Sequence, residues 1–157
     1  MTSLRLSIRN ALRDIVAAVE PFASGGGCRG VTSAEPEDAA LDSAAAVAWI
    51  SIRGGVPTDE VNLEGPVRET CTVDLVLERS RTADDVGSDD DTLLDAMLTA
   101  VQKAIYSDRT LGLAYVTDVR TPTWDFVGAD ADNRLLCTMS LDVIYQHKWN
   151  TPETSDG

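Results

Sequence analysis

The chain has 157 residues, 43% of them hydrophobic and 5% aromatic, a composition typical of one globular domain with a sizeable core. Thirteen basic residues against 26 acidic ones give a formal net charge of −13, which opposes tight or sequence-specific binding to nucleic-acid phosphate. The three cysteines, the lack of an apolar leader and the lack of an apolar run of about 18 residues predict a protein that works in solution with reduced thiols, without a disulfide framework or a membrane span.

The first predicted element is an amphipathic helix over residues 2–20, which Thr2 or Ser3 is placed to cap and Pro21 to end. Its apolar residues recur at spacings of three and four: Leu4, Ile8, Leu12, Ile15, Val16 and Val19. The next stretch, 22–46, is rich in Gly, Ser, Ala and acid, and we interpret it as a long flexible loop.

A hairpin is predicted after the loop. Val47–Arg53 is rich in β-formers, and Gly54-Gly55, followed by Pro57, supplies turn chemistry. From Val67 to Leu77 every odd position except Glu69 is apolar, which is typical of a half-buried antiparallel strand.

The second half of the chain repeats this order, beginning with a helix. Ser88 stands three residues before Asp91, as in a capping box, and the helix is expected to end near Ser107. Its apolar stripe consists of Leu94, Met97, Leu98, Val101 and Ile105. Residues 115–127 then predict a bent or edge strand, because Pro122 interrupts them.

The closing strand has the clearest pattern in the chain. After a turn at 128–133, apolar residues alternate with polar ones from Leu135 to Tyr145, and the strand is expected to end near Trp149. The polar tail 150–157 is expected to be disordered. The resulting fold class is α+β: a four-stranded antiparallel sheet in the order α-β-β-α-β-β, with two helices on one face, in one domain over 1–149.

Residues that carry catalytic or metal chemistry are sparse. The single histidine, His147, is expected to have a surface or edge role. Cys71 and Cys137 are in phase with apolar strand residues and are assigned to the core, whereas Cys28 is expected in an exposed loop. No zinc spacing, phosphate-binding loop or calcium-loop pattern is complete, so no catalytic residue, cofactor or metal is predicted.

Charged residues suggest assembly instead. Arg5, Arg9 and Arg13 stack three like charges at i, i+4 spacing along the first helix, so an acidic partner is expected. Either they form a solvated face with partners in the same chain, or they meet an acidic loop of a neighbouring subunit. Residues 32–107 hold five bases and sixteen acids, and two loops supply much of this acid: Glu35, Glu37, Asp38 and Asp42, and then Asp84, Asp85, Asp89, Asp90 and Asp91.

The pattern of elements resembles the bacteriophage tail terminator proteins over residues 2–149. In that family the second helix runs into an "x-D-x-x-L-G" turn, then a strand with an aromatic residue near its end, then a long closing strand. The matching segments here are Ser107-Asp108-Arg109-Thr110-Leu111-Gly112, Val116 through Trp124-Asp125-Phe126, and Arg134 through Leu141-Asp142-Val143-Ile144-Tyr145. The 22–46 loop is longer than the family usually has.

The resemblance implies a structural virion protein, not an enzyme. It implies a homohexameric ring on the last ring of the tail tube, which stops tube polymerisation and presents a surface to the neck or head-completion proteins. In a contractile tail the ring would also touch the sheath. The implied location is the head-proximal end of the virion tail, after assembly in the host cytoplasm.

Genomic DNA would pass through such a ring without specific binding, so an acidic wall would repel its phosphates. We therefore expect the two acidic loops either to line the channel or to meet the arginine row across subunits. Two alternatives remain open at the level of the sequence. One is a neck or tail-completion protein, which gene context would separate; the other is a small ligand-binding or enzymatic domain, which would need a concave pocket of converging polar groups.

Overall fold

The structure is a computed structural model and describes residues 3–30, 45–57, 67–129 and 134–147. In chain order its regular elements are helix α1 (Leu4–Ala17), the short helix α2 (Phe22–Gly25), strands β1 (Cys28–Gly30), β2 (Ala46–Pro57) and β3 (Val67–Ser80), a 3₁₀ turn (Ala83–Asp85), helix α3 (Asp90–Tyr106), and strands β4 (Val116–Ala129) and β5 (Arg134–His147). Among the helices of these ranges, none has the length and apolar character that crossing a membrane requires.

The strands form one mixed sheet in the order β1-β2-β3-β5-β4. The prediction of a four-stranded antiparallel sheet is therefore wrong, because within the described residues β1 already adds a fifth strand, which pairs in parallel with Ala48–Ile50 of β2. β1 has only three residues and lies in the segment interpreted as a loop. A strand so short carries no recognisable alternation, so only its pairing with β2 identifies it.

Strand β2 continues through the predicted turn. Gly54 and Gly55 pair with Thr72 and Cys71 of β3, after a register shift between Ile52 and Gly54. The glycines therefore belong to the strand, and the connection to β3 falls within 58–66, outside the described residues. A Cβ atom on Gly55 would lie 2.8 Å from the carbonyl oxygen of Thr70, so close packing accounts for glycine at this position.

Both long helices pack on one face of the sheet and form a single core with it. α1 lies over β1 and β2 and buries Leu4, Ile8, Leu12 and Val16, whereas α3 lies over β4 and β5. α3 buries the whole predicted stripe together with Leu93. Each large side chain removed from water in this way contributes about 1.5–3 kcal/mol, which explains why the periodic positions define the helices.

The helix ends differ slightly from the predictions. Ser3 caps α1 by accepting a hydrogen bond from the Leu6 amide, as expected, but the helix ends at Ala17. α3 is capped by Asp89, not by Ser88. The reciprocal capping pattern lies earlier, in the 3₁₀ turn, where the Thr82 amide donates to Asp85.

Strand β4 is the outermost strand on its side of the sheet, as Pro122 predicts. Its pairing with β5 shifts register at three places along its length. Residues 130–133 of the predicted turn, Trp149 and the tail at 150–157 lie outside the described residues. The loop predicted over 22–46 is helix and strand as far as Gly30, and its 31–44 portion is not described.

Candidate assembly surfaces

The three arginines of the predicted row have different surroundings. Arg5 donates to the Glu69 carboxylate of the same chain, with its Nη2 2.7 Å from Oε1. Arg13 pairs with the exposed Asp14. Arg9 lies against β1, where a Cβ on Gly30 would be 3.3 Å from its Cζ. Its Nη2 donates to Asn10 at 3.3 Å, and its buried Nε has no hydrogen-bond partner among the described residues.

Arg29 is exposed on β1 itself, and Arg13 belongs to α1, the helix that lies over this strand. We call Arg9, Arg13 and Arg29 the arginine edge. Arg5 is not part of it, because Glu69 holds its guanidinium at the far end of the sheet. The row therefore divides into one arginine that anchors α1 and two that belong to an exposed edge.

The second acidic loop is mostly engaged within the chain. Asp85 is buried and accepts from the Thr82 amide and from Arg79, contacts that lower its pKa. Asp89 caps α3 and Asp90 pairs with Arg81. Of the five acids predicted for the lumen or an interface, the ones left exposed without such bonds are Asp84 and Asp91. The first acidic loop, with Glu35, Glu37, Asp38 and Asp42, lies outside the described residues.

A buried polar cluster joins α1 to the ends of β3 and β5, and the sequence did not predict it. Glu69 is 8% exposed and His147 is 5% exposed, so the expectation of a surface or edge role for His147 is wrong. The Nε2 atom of His147 lies 2.9 Å from Oε2 of Glu69, and Arg5 also donates to the hydroxyl of Tyr145 at 2.9 Å. The sequence did contain an indication of it, because Glu69 and His147 both stand at strand positions where the alternating pattern otherwise places buried apolar residues.

The electrostatics of this cluster suit a clamp rather than an open reaction site. Burial acts to raise the pKa of Glu69, but hydrogen bonds from Tyr145, His147 and Arg5 lower it by more, so the carboxylate stays ionised and accepts. Burial raises the pKa of the nearby Cys71 thiol to about 11, which removes it as a nucleophile at neutral pH. Both carboxylate oxygens of Glu69 are already occupied by protein donors.

The other cysteines are also buried. Cys137 is a core residue, as predicted for it and for Cys71, but Cys28 lies in β1 and is not an exposed loop thiol. Burial raises the pKa of both Cys28 and Cys137 to about 12. Within the described ranges, no three His, Cys, Asp or Glu side chains are grouped so that they could hold a metal ion.

The turn between α3 and β4 is built around Asp108. Its carboxylate accepts from the amide of Thr110 at 3.0 Å, from the hydroxyl of Thr110 at 2.6 Å and from the amide of Gly112 at 3.0 Å. Leu111 and Gly112 both have left-handed backbones, with φ of 55° and 69°, and Leu111 is buried. In this turn Asp108 therefore accepts the hydrogen bonds, Leu111 anchors the turn in the core, and Gly112 adopts the left-handed backbone.

No family model matches the chain, and no curated protein matches it either.

The exposed side of β4 carries large apolar side chains. Trp124 is 54% exposed and Val127 is 57% exposed, and the ring of Trp124 lies 5.0 Å from that of Phe126. We call Trp124, Phe126 and Val127 the aromatic edge, in which Phe126 is half-buried and packs against the core. Asp125 lies between Trp124 and Phe126 and is exposed. Among the described residues no strand pairs with the outer side of β4, and apolar side chains clustered on such an edge are typical of a protein contact.

Proposed function

We propose that the chain is a structural subunit of a bacteriophage tail. It assembles into a hexameric ring that caps the head-proximal end of the tail tube and ends tube polymerisation. The ring then presents a joining surface to the neck proteins, and to the sheath where the tail contracts. Genomic DNA passes through the ring without specific binding.

The observation that carries this proposal is the turn at Asp108–Gly112. Its residues follow the "x-D-x-x-L-G" pattern of tail terminator proteins between the second helix and the next strand. Each residue type has a physical reason: the Asp108 carboxylate ties down the amides of Thr110 and Gly112, and Leu111 fills the core from a left-handed backbone. A substitution at any of these positions would change the direction in which the chain enters β4 after α3.

The charge distribution supports the same function. Asp84 and Asp91 are exposed near the start of α3, and with a net charge of −13 the surface repels phosphate. A ring through which DNA passes gains from such repulsion, because bound DNA would stall in the channel. In this arrangement the exposed acids line the channel or meet the arginine edge of a neighbour, and Arg5 keeps its partner in its own chain.

Negative-stain imaging of the purified protein, with and without tail tubes, tests the proposal. We expect rings at tube ends, and tubes assembled with the protein present should have a narrower length distribution. Native mass measurement should give six copies per ring. Protein that stays scattered and has no affinity for tubes would reject the function, and rings that bind the portal instead of the tube would favour a neck protein.

A further inference from the structure

The aromatic edge and the arginine edge lie on opposite sides of the sheet. The strand order places β1 at one side and β4 at the other, so four strand spacings, about 19 Å in all, separate them. The three arginines of the arginine edge, with the two acids of residues 4–30, carry a net charge of +1. Residues 90–129, which form α3 and the aromatic edge, carry six acids and three bases, a net charge of −3.

The arginine edge presents cationic groups whose hydrogen bonds within the described residues are local, since Arg9 donates to Asn10 and Arg13 donates to Asp14. The guanidinium of Arg9 is held in place against Gly30, and its Nε is buried, so that atom is not available to a second copy. Arg29 is exposed on β1. An arginine that packing has already positioned loses little side-chain freedom on binding, so it suits a contact with a planar or acidic partner.

The aromatic edge offers such a partner. An exposed indole accepts an arginine guanidinium over its face, and Trp is the strongest of the aromatic side chains in this interaction. Asp125, next to Trp124, supplies a carboxylate for a second guanidinium. Arginine and tryptophan are also the residues that most often dominate the energy of protein interfaces.

We propose that the aromatic edge of one copy docks on the arginine edge of a second copy, head to tail. This proposal rests on the ring proposed above and names its subunit contact. Trp124 stacks on the guanidinium of Arg29 or Arg9 of the next copy, and Asp125 pairs with the other. Because the two surfaces differ, each copy keeps one edge of each kind for a further contact, and repetition closes a ring when the rotation between neighbours divides a full turn.

Complementary variants test this geometry. Trp124→Ala removes one edge and Arg29→Glu removes the other, and each variant alone should weaken self-association by about thirty-fold or more in sedimentation velocity. Mixed in equal amounts, the two variants retain one intact pair of edges, so the mixture should form heterodimers and no larger species. An interface built from two identical surfaces would give no such rescue.

Several outcomes overturn the contact. They are a wild-type protein that stays monomeric at the highest soluble concentration, variants that associate as the wild type does, and a mixture that stays monomeric. Val86→Ala is the matched control, because Val86 is 85% exposed but lies on neither edge, and it should associate as the wild type does. Circular dichroism and urea unfolding of each variant separate lost association from lost folding, and Arg9→Glu provides a second variant of the arginine edge.

Tube assays separate this contact from the tail function. If the wild type caps tubes and both edge variants cap them equally well, the tail function stands and this contact is wrong. If the wild type associates through these edges but leaves tube length unchanged, the contact stands and the tail function is wrong.

Discussion

Replacing Gly55 by alanine should destabilise the fold, whereas the same change at Gly54 should not. A Cβ on Gly55 would lie 2.8 Å from the Thr70 carbonyl oxygen and 3.0 Å from Oε1 of Glu69, against 3.4–4 Å for ordinary contact. The Thr70 carbonyl belongs to β3, which is held between β2 and β5, so it cannot withdraw cheaply. Such overpacking costs about 1–3 kcal/mol. Reduced freedom of the unfolded chain offsets about 0.4–1 kcal/mol of it.

The net expectation for Gly55→Ala, from the midpoints of these ranges, is therefore a loss of about 1.3 kcal/mol in the free energy of unfolding, or about 3–5 °C in Tm. At Gly54 no atom lies within 4 Å of the added Cβ, so Gly54→Ala should be neutral or stabilising by up to about 1 kcal/mol. Urea unfolding followed by circular dichroism measures both. Equal midpoints for the two variants would refute the close-packing account of Gly55.

Two further predictions concern the buried groups. Glu69→Gln should lower the free energy of unfolding by about 2 kcal/mol at neutral pH. Most of this loss comes from the buried hydrogen bond between Glu69 and His147, because water screens the ion pair between Glu69 and the 46% exposed Arg5. The folded-state pKa of Glu69 lies below its ordinary value of 4.5, so the stabilisation from its carboxylate is fully present above pH 4.5 and is lost as pH falls through the folded-state pKa. The difference in free energy of unfolding between wild type and Glu69→Gln, measured in urea, should therefore shrink at low pH. A difference that does not change with pH would contradict this prediction. The three buried thiols, those of Cys28, Cys71 and Cys137, should resist a thiol reagent in the native protein and react with it in urea. Fast labelling of the native protein would show that these thiols are not buried.

The features that the sequence predicted well are those with a local repeat. The stripe of α1 and the alternation of β5 repeat often enough to identify the element and its buried face. Pro122 likewise indicated an edge strand, and β4 is one. For the stripe and the alternation the physical cause, burial of one side of a regular element, recurs every few residues, whereas Pro122 acts alone because it lacks the N–H that a central strand donates.

The features that it missed depend on residues far apart in the chain. β1 exists because it pairs with β2, and Gly54 and Gly55 lie in a strand because β3 pairs with them. The contact between Glu69 and His147 spans 78 positions, and no local pattern contains it. A charged residue in an apolar phase does indicate that a partner exists, but the fold determines which residue that partner is.

The shape of β4 bears on why self-association through the aromatic edge would stop at a ring. A straight, exposed edge strand invites backbone pairing with another chain, which can continue without limit. β4 instead shifts register against β5 at three places, so its outer backbone presents an irregular row of donors and acceptors. A contact on this side then depends on side chains such as Trp124, whose geometry sets one angle between neighbours. A head-to-tail contact with one angle closes when its rotation divides a full turn, which is what a cap of finite size requires.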